Sequence, residues 1–366
     1  MPVIRAAVHR SVGGPLAVET VELAHPMPDE LRIEVEAVAV CHSDVAFLDG
    51  DWPADLPAVW GHEAAGTVVE VGDGVTAVGV GDRVTITSIR ACGACRNCRA
   101  GLSVACTTVH PRDERTPLHT TSGEPLTWGL RMAAFAEQVI VHESQVSVVP
   151  ADMPAPSAAL LGCGVISGYC AVTNTAAVEP GASVVVVGTG GVGIHTVQGA
   201  AHAGAGPIVA VDLDEEKRSL ALRLGATDAV DPRDDAPGAV AAATGGRMAD
   251  YVFVTTGAPA AFEGAIDLVA PGGALVVVGM PPTGVDLRVD AGTFAGLNQR
   301  ILGSKLGGTT VATDIPALVR RYADGELELD GLVTATYPLE GIADAVADSR
   351  RGHTVRAVVV MDGDAA

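Results

Sequence analysis

Cys92, Cys95, Cys98 and Cys106 form a C-x2-C-x2-C-x7-C cassette within fifteen residues. Four thiolates so close in sequence are what a closed tetrahedral zinc site needs, and such a site leaves no position open for a substrate. The surrounding ACGACRNCRAGLSVAC is rich in Gly and Ala and too irregular for a helix face or a strand. Zinc is the expected occupant, although disulfides or an iron–sulfur cluster would draw on the same residues.

A second chemistry is written in Gly188-Thr189-Gly190-Gly191-Val192-Gly193, a G-x-G-x-x-G run between a β-branched stretch and a helix-like one. Glycine at 188 permits a tight turn, Gly190 lets a pyrophosphate approach the backbone, and Gly193 allows close helix–strand packing. Gly191 and Val192 complete the turn. Phosphates would then rest at a helix N-terminus, where free N–H groups and the helix dipole favour negative charge. Asp212 ends the next strand, nineteen residues past Gly193, where its carboxylate can accept hydrogen bonds from an adenosine ribose. The same charge repels a 2′-phosphate, so NAD(H) is expected over NADP(H). Lys217 is close enough to reach that ribose, though a lysine at a helix start is more often merely solvated.

Three further stretches hold metal-ligating side chains: Cys41 in AVCHSD, His62 with Glu63 in GHEAAG, and Cys163 in LLGCGVISG. Singly, each is explained as a buried thiol or an ordinary histidine. Beside the cassette and the glycine turn, they form a coincidence that asks for a common cause.

The elements that must position these residues fall into two styles. Residues 1 to about 150 read as short strands between Gly, Pro and Asp turns, with LRIEVEAVAV (31–40), GTVVEVG (66–72) and GDRVTIT (81–87) as examples. After Pro154 the pattern becomes strand, glycine turn, helix, strand. SVVVVG (183–188), PIVAVD (207–212), YVFVTTG (251–257) and GALVVVG (273–279) are continuously apolar, as strands buried on both faces of a parallel sheet should be. This alternation predicts a doubly wound α/β domain. RAVVVMDG (356–363) reads as a last strand returning to the first domain, and the Thr-, Pro- and His-rich segment 107–135 as a long loop.

At 366 residues the chain is long enough for two cored domains. Its 23 basic against 44 acidic residues, a net of −21, argue against a nucleic-acid partner, which needs a concentrated basic face. No apolar run reaches the roughly eighteen residues of a membrane span. The opening MPVIRAAVHRSVGG lacks the apolar segment of an export signal. A cysteine set better suited to metal than to bridges then makes the cytoplasm the expected compartment.

Taken together, CHSD (41–44), GHEAAGTVVEVGDGVTAVGVGDRV (61–84), the cassette, LLGCGVISGY (160–169) and GTGGVG (188–193) resemble the zinc-dependent medium-chain alcohol dehydrogenases. Order and approximate spacing hold along nearly the whole chain. The resemblance implies a β-rich GroES-like catalytic domain over 1–164 and 306–366, and a Rossmann doubly wound cofactor domain over 165–305. It implies two Zn2+ per chain: a structural ion on the four-cysteine cassette, and a catalytic ion on Cys41, His62 and Cys163. Glu63 matches a glutamate that can approach the catalytic metal during ligand exchange. Asp44 matches the carboxylate that holds the zinc-bound imidazole in its tautomer.

Ser43 matches the hydroxyl that hydrogen-bonds the substrate oxygen and starts a proton path. Where several members end that path in a histidine, this chain has Ala46. His42 and Arg356 match basic positions on the cofactor's pyrophosphate. Ser43, Trp52, Ser88 and Met280 align with pocket positions. Lys305 falls near the outer pocket, where it could favour a polar or anionic substrate. The implied reaction is hydride transfer between NAD(H) and an alcohol, aldehyde or ketone. The long loop and CHSD also fit a thiol-dependent (glutathione- or mycothiol-type) formaldehyde dehydrogenase. That loop, however, has no clear equivalent of the arginine that binds the thiol's carboxylate; Arg112 and Arg115 lie only nearby. An enzyme that retains NAD and uses an external electron acceptor is a further alternative. A homodimer, or else a homotetramer, is expected.

Overall fold

A computed structural model describes residues 1–352 and 354–361. The chain divides into two compact units, residues 1–163 with those from 310 onward, and residues 164–309.

The first unit is built on two sheets. In one, strands Leu118–Thr120, Leu16–Leu23, Val3–His9, Ala58–Val59 and Thr127–Trp128 lie side by side in that order. The other runs Val146–Val148, Arg83–Ile86, Ala64–Val71, Glu30–Ala39, Arg356–Val360, Val333–Tyr337, and Gln138–His142 also pairs with Glu30–Ala39. Alternation in LRIEVEAVAV turns one face of its strand into a core shared with Val8, Val68, Val84, Phe135 and Ile140. Strand Arg356–Val360 pairs antiparallel with Glu30–Ala39, so the last apolar run does return to the first unit.

The second unit is a six-stranded parallel sheet. Numbered along the chain, its strands Val184–Val187, Ile208–Val211, Asp228–Val230, Ala249–Val254, Val269–Val277 and Arg300–Gly303 are ordered 3-2-1-4-5-6. This is the doubly wound arrangement, in which ligands bind beyond the carboxyl ends of the strands where the order reverses. The reversal lies at Val184–Val187, the strand leading into the glycine turn. Val184, Val185 and Val186 are buried, which explains their uninterrupted apolar character.

The segment 107–135 departs from the loop expected of it. It contains helical turns Pro111–Glu114 and Gly129–Arg131, and gives two short strands to the five-stranded sheet. Strands of two and three residues are too brief to show a period. Arg112 fixes the segment from inside: its guanidinium is buried and donates to both oxygens of Glu30, with Nε at 2.9 and 3.1 Å, and to the carbonyl of His25 at 3.1 Å. Among the described residues no helix is long and apolar enough to cross a membrane.

Candidate active site

Four buried side chains converge in the first unit. One ligand atom each from Cys41, His62, Glu63 and Cys163 lies within 4.8 Å of the others. Cys41 follows strand Glu30–Ala39 and caps the N-terminus of helix His42–Asp49. His62 and Glu63 immediately precede strand Ala64–Val71, and Cys163 ends the turn after helix Ala155–Leu160. Gly162 makes that turn possible, since a Cβ there would stand 2.3 Å from the carbonyl oxygen of Ile86 and 3.2 Å from the Cα of Glu63.

Asp44 ties the ligands together. Its Oδ1 accepts from the Gly61 N–H and from His62 Nδ1, each at 3.0 Å, and its Oδ2 accepts from the Cys41 N–H at 3.2 Å. With Nδ1 engaged, Nε2 is the His62 atom that could ligate a metal. A hydrogen bond from Cys163 holds the Cys41 thiol well below its usual range, against the opposing effect of burial. Burial pushes Glu63 up to about 7, while Arg356 pulls it down. Two sulfurs, one imidazole nitrogen and a carboxylate in a buried cluster fit a zinc ion in chemistry and in size.

Arg356 is buried with its guanidinium donating to Glu63 Oε2. That engagement turns it inward to the metal-ligand cluster, so any service to a pyrophosphate has to compete with it. His42 is exposed, Ser43 is half-buried on the first turn of its helix, and Trp52 and Ser88 are half-buried. Trp52 stands edge-on to Phe47, which stacks on Trp60. Met280 and Lys305 are exposed and belong to the second unit.

The cassette forms a second cluster in the first unit. None of the seven cysteines is in a disulfide. Sulfurs of Cys92 and Cys98, and of Cys95 and Cys106, are 4.0 Å apart, twice a disulfide length and near the ~3.8 Å edge of a zinc–sulfur tetrahedron. Backbone N–H groups of Cys95 and Cys98 donate to the sulfurs of Cys92 and Cys95, an arrangement that suits thiolates.

In the second unit the glycine turn has the expected form. Gly188 has φ +86°, Gly190 has no atom within 4 Å of a would-be Cβ, and a Cβ on Gly193 would fall 1.8 Å from the carbonyl oxygen of Gly188. Gly191 and Val192 lead into helix Gly193–His202. The open space at Gly190 fits a pyrophosphate against the backbone. Asp212 is half-buried, and Lys217 lies in the first turn of helix Glu215–Arg223.

Two supports of this turn escape a motif-based reading. Thr189, fully buried, donates its N–H to Asp212 Oδ2 at 2.6 Å and its hydroxyl to the same oxygen at 3.2 Å. The Thr255 hydroxyl donates to the Gly188 carbonyl. Thr189 occupies a free position of G-x-G-x-x-G, and Thr255 lies 67 residues away, so nothing local marks either.

The family description "Zinc-binding dehydrogenase" matches residues 191–324, and "Alcohol dehydrogenase GroES-like domain" matches 27–151. The NDMA-dependent alcohol dehydrogenase of Amycolatopsis methanolica is 36% identical, over 98% of this chain and 99% of that one. An S-(hydroxymethyl)glutathione dehydrogenase of Synechocystis is 34% identical over 97% and 99%. Among solved structures, an alcohol dehydrogenase zinc-binding domain protein from Burkholderia ambifaria superposes with a TM-score of 0.93 at 35% identity, covering 99% of this chain and all of that one.

Proposed function

The chain belongs to the zinc-type medium-chain alcohol dehydrogenase family, oxidoreductases of small-molecule alcohols, and from that premise we propose that it is an NAD(H)-dependent alcohol dehydrogenase and aldehyde reductase holding two zinc ions. The observation that carries this reading is the buried quartet Cys41, His62, Glu63 and Cys163, gathered to within 4.8 Å. Two thiolates and an imidazole would hold a catalytic zinc and leave room for a substrate oxygen. The four-cysteine cluster would hold the structural ion, since four thiolates complete a tetrahedral shell.

When bound, zinc supplies the Lewis acidity that makes an alcohol proton removable near neutral pH, and the nicotinamide takes up or returns the hydride. The chain's residues do the rest. Asp44 fixes the ring of His62 and the backbone of Cys41 and Gly61. Glu63, anchored on Arg356, waits beside the ligands for exchange. Ser43 Oγ would accept the substrate proton while passing its own hydroxyl proton on. Ala46 offers no acceptor beyond it, so that proton would leave through water and the nicotinamide ribose or through another group. Gly188, Gly190 and Gly193 shape the pyrophosphate turn, and Asp212 accepts from a ribose hydroxyl.

A second reading, turnover with cofactor retained and an external acceptor, is favoured by the likeness to the NDMA-dependent relative. The thiol-adduct reading is favoured by the likeness to the Synechocystis relative, but Arg112 is occupied by Glu30, which leaves the exposed Arg115 as the nearby arginine for a thiol's carboxylate.

The test is zinc content per chain, with NADH and NADPH oxidation measured against an aldehyde panel, formaldehyde with and without thiol, and NDMA. Two zincs with NADH-linked reduction of ordinary aldehydes sustain the proposal. Two zincs with turnover only on a thiol adduct or only with NDMA shift it to the corresponding alternative. One zinc or none removes the assigned ligands.

A further inference from the structure

Strands Ile208–Val211 and Asp228–Val230 are parallel neighbours with Val211 opposite Val230. The next residue of each is an aspartate, so the sheet delivers Asp212 and Asp231 side by side at its carboxyl edge. Asp212 N–H donates to the Val230 carbonyl at 3.2 Å, which keeps the two ends in register.

The two carboxylates have different partners. Asp212 takes the N–H and hydroxyl of Thr189 on Oδ2, and the Asp214 N–H on Oδ1 at 3.0 Å. These donors are neutral, so its charge is kept for a ligand. Asp231 instead takes two guanidinium groups. Arg233 meets it with Nε at 2.9 Å and a terminal nitrogen at 2.5 Å, and Arg218 meets it at 3.3 Å. The same arginines reach the turn that carries Asp212: Arg218 donates to the Asp212 carbonyl at 2.8 Å, and Arg233 to the Leu213 carbonyl at 3.3 Å. Two cations therefore flank the ribose-binding carboxylate, both held by the neighbouring strand end.

We propose that Asp231 is a specificity-determining residue for the dinucleotide: it ties Arg218 and Arg233 to the wall of the adenosine-ribose site and denies them to a 2′-phosphate. The inference rests on the proposed role of Asp212 and adds a second barrier behind it. Asp212 repels the 2′-phosphate directly. Asp231 engages the guanidiniums that would otherwise make charge-assisted, bidentate bonds to it.

The test compares wild type, Asp212→Ser, and Asp212→Ser with Asp231→Asn, by calorimetric binding of ADP, 2′,5′-ADP, NADH and NADPH. Binding is read without turnover. Asparagine keeps an acceptor for the Arg233 N–H, which now meets Asp231 Oδ1 at 2.9 Å, so the turn survives. Asp231→Ser in place of Asn supplies a second variant, and ADP binding reports that each protein is folded. The double variant is expected to bind 2′,5′-ADP and NADPH about tenfold tighter than Asp212→Ser, about 1.4 kcal/mol, and to lose the gain when Arg218 and Arg233 become Ala. Equal affinity in the two, with ADP retained, overturns the proposal, as does a gain that persists without the arginines. A wild type that prefers NADPH, or binds no ADP, removes the Asp212 reading and this inference with it.

Discussion

At the scale of single residues, the quartet and its carboxylate make separable demands. Cys41→Ser or Cys163→Ala removes one of the two thiolates of the quartet, so the zinc proposed to bind there should be held far more weakly. Activity should fall on the order of a thousandfold, since the metal contributes several kcal/mol of transition-state stabilisation. Asp44→Asn keeps the shape but weakens the hold on His62, and about a 10–100-fold loss in metal affinity or activity is expected. Metal analysis after dialysis against a graded chelator series distinguishes the two classes.

A different residue sets a pH limit on folding. Trp60 donates its indole N–H to Nδ1 of the fully buried His9 at 3.1 Å, and burial lowers the His9 pKa below 6.5. Below pH 6.5 the unfolded chain takes a proton that folded His9 refuses, so stability declines as pH falls through that range. The contribution is at most about 1.4 kcal/mol per unit. Urea unfolding at pH 7.5 and 5.5 should show a smaller pH difference in His9→Gln than in wild type.

At the scale of elements, the glycine turn offers a contrast between two substitutions of one kind. Gly190→Ala places its methyl in open space, so thermal unfolding should be unchanged while dinucleotide affinity drops by about tenfold or more. Gly193→Ala drives a methyl into the Gly188 carbonyl and should lower the melting temperature as well. A Gly190→Ala protein that unfolds early would show that the turn serves the fold more than the ligand. The segment 107–135 carries its own prediction. Arg112→Ala leaves the buried Glu30 charge alone and should cost about 3–5 kcal/mol, measurable by denaturant titration. Replacing both partners with apolar residues should cost less.

Long elements were legible in the sequence because their periods are long enough to read: the buried β-branched runs of the parallel sheet and the alternating strand Glu30–Ala39 both stand where the pattern puts them. The short strands of 107–135 were not legible, for two or three residues carry no period. Motif residues with fixed chemistry, such as Cys41, His62 and Gly193, were visible individually. Their helpers were not. Thr189, Thr255, Asp231 and the inward turn of Arg356 depend on contacts between distant strands, and no local spacing records those.

On the scale of the whole molecule, the two metal clusters lie in the same unit but differ in exposure, the quartet buried and the cassette half-buried. If each cluster holds the zinc proposed for it, Cys92→Ser should lower the zinc content by one per chain and reduce stability, while affinity for the nicotinamide cofactor, which the proposal assigns to the glycine turn of the other unit, stays as in wild type. Parallel zinc and binding assays check both halves of that statement. Loss of both ions from this single change would mean that the sites fill cooperatively.

The pairing of Glu63 with Arg356 spans 293 residues, and its meaning changes when the protein is considered as something being synthesised. Cys41, His62, Glu63 and Cys163 all leave the ribosome before the strand that brings the guanidinium. Until that strand docks beside Glu30–Ala39, the carboxylate has no counter-charge from Arg356 and cannot be buried cheaply. Between the emergence of Cys163 and that of Arg356, the Glu63 carboxylate would therefore keep its water. The last strand to be made is thus the one that completes the electrostatics of a cluster whose other members come from the first half of the chain.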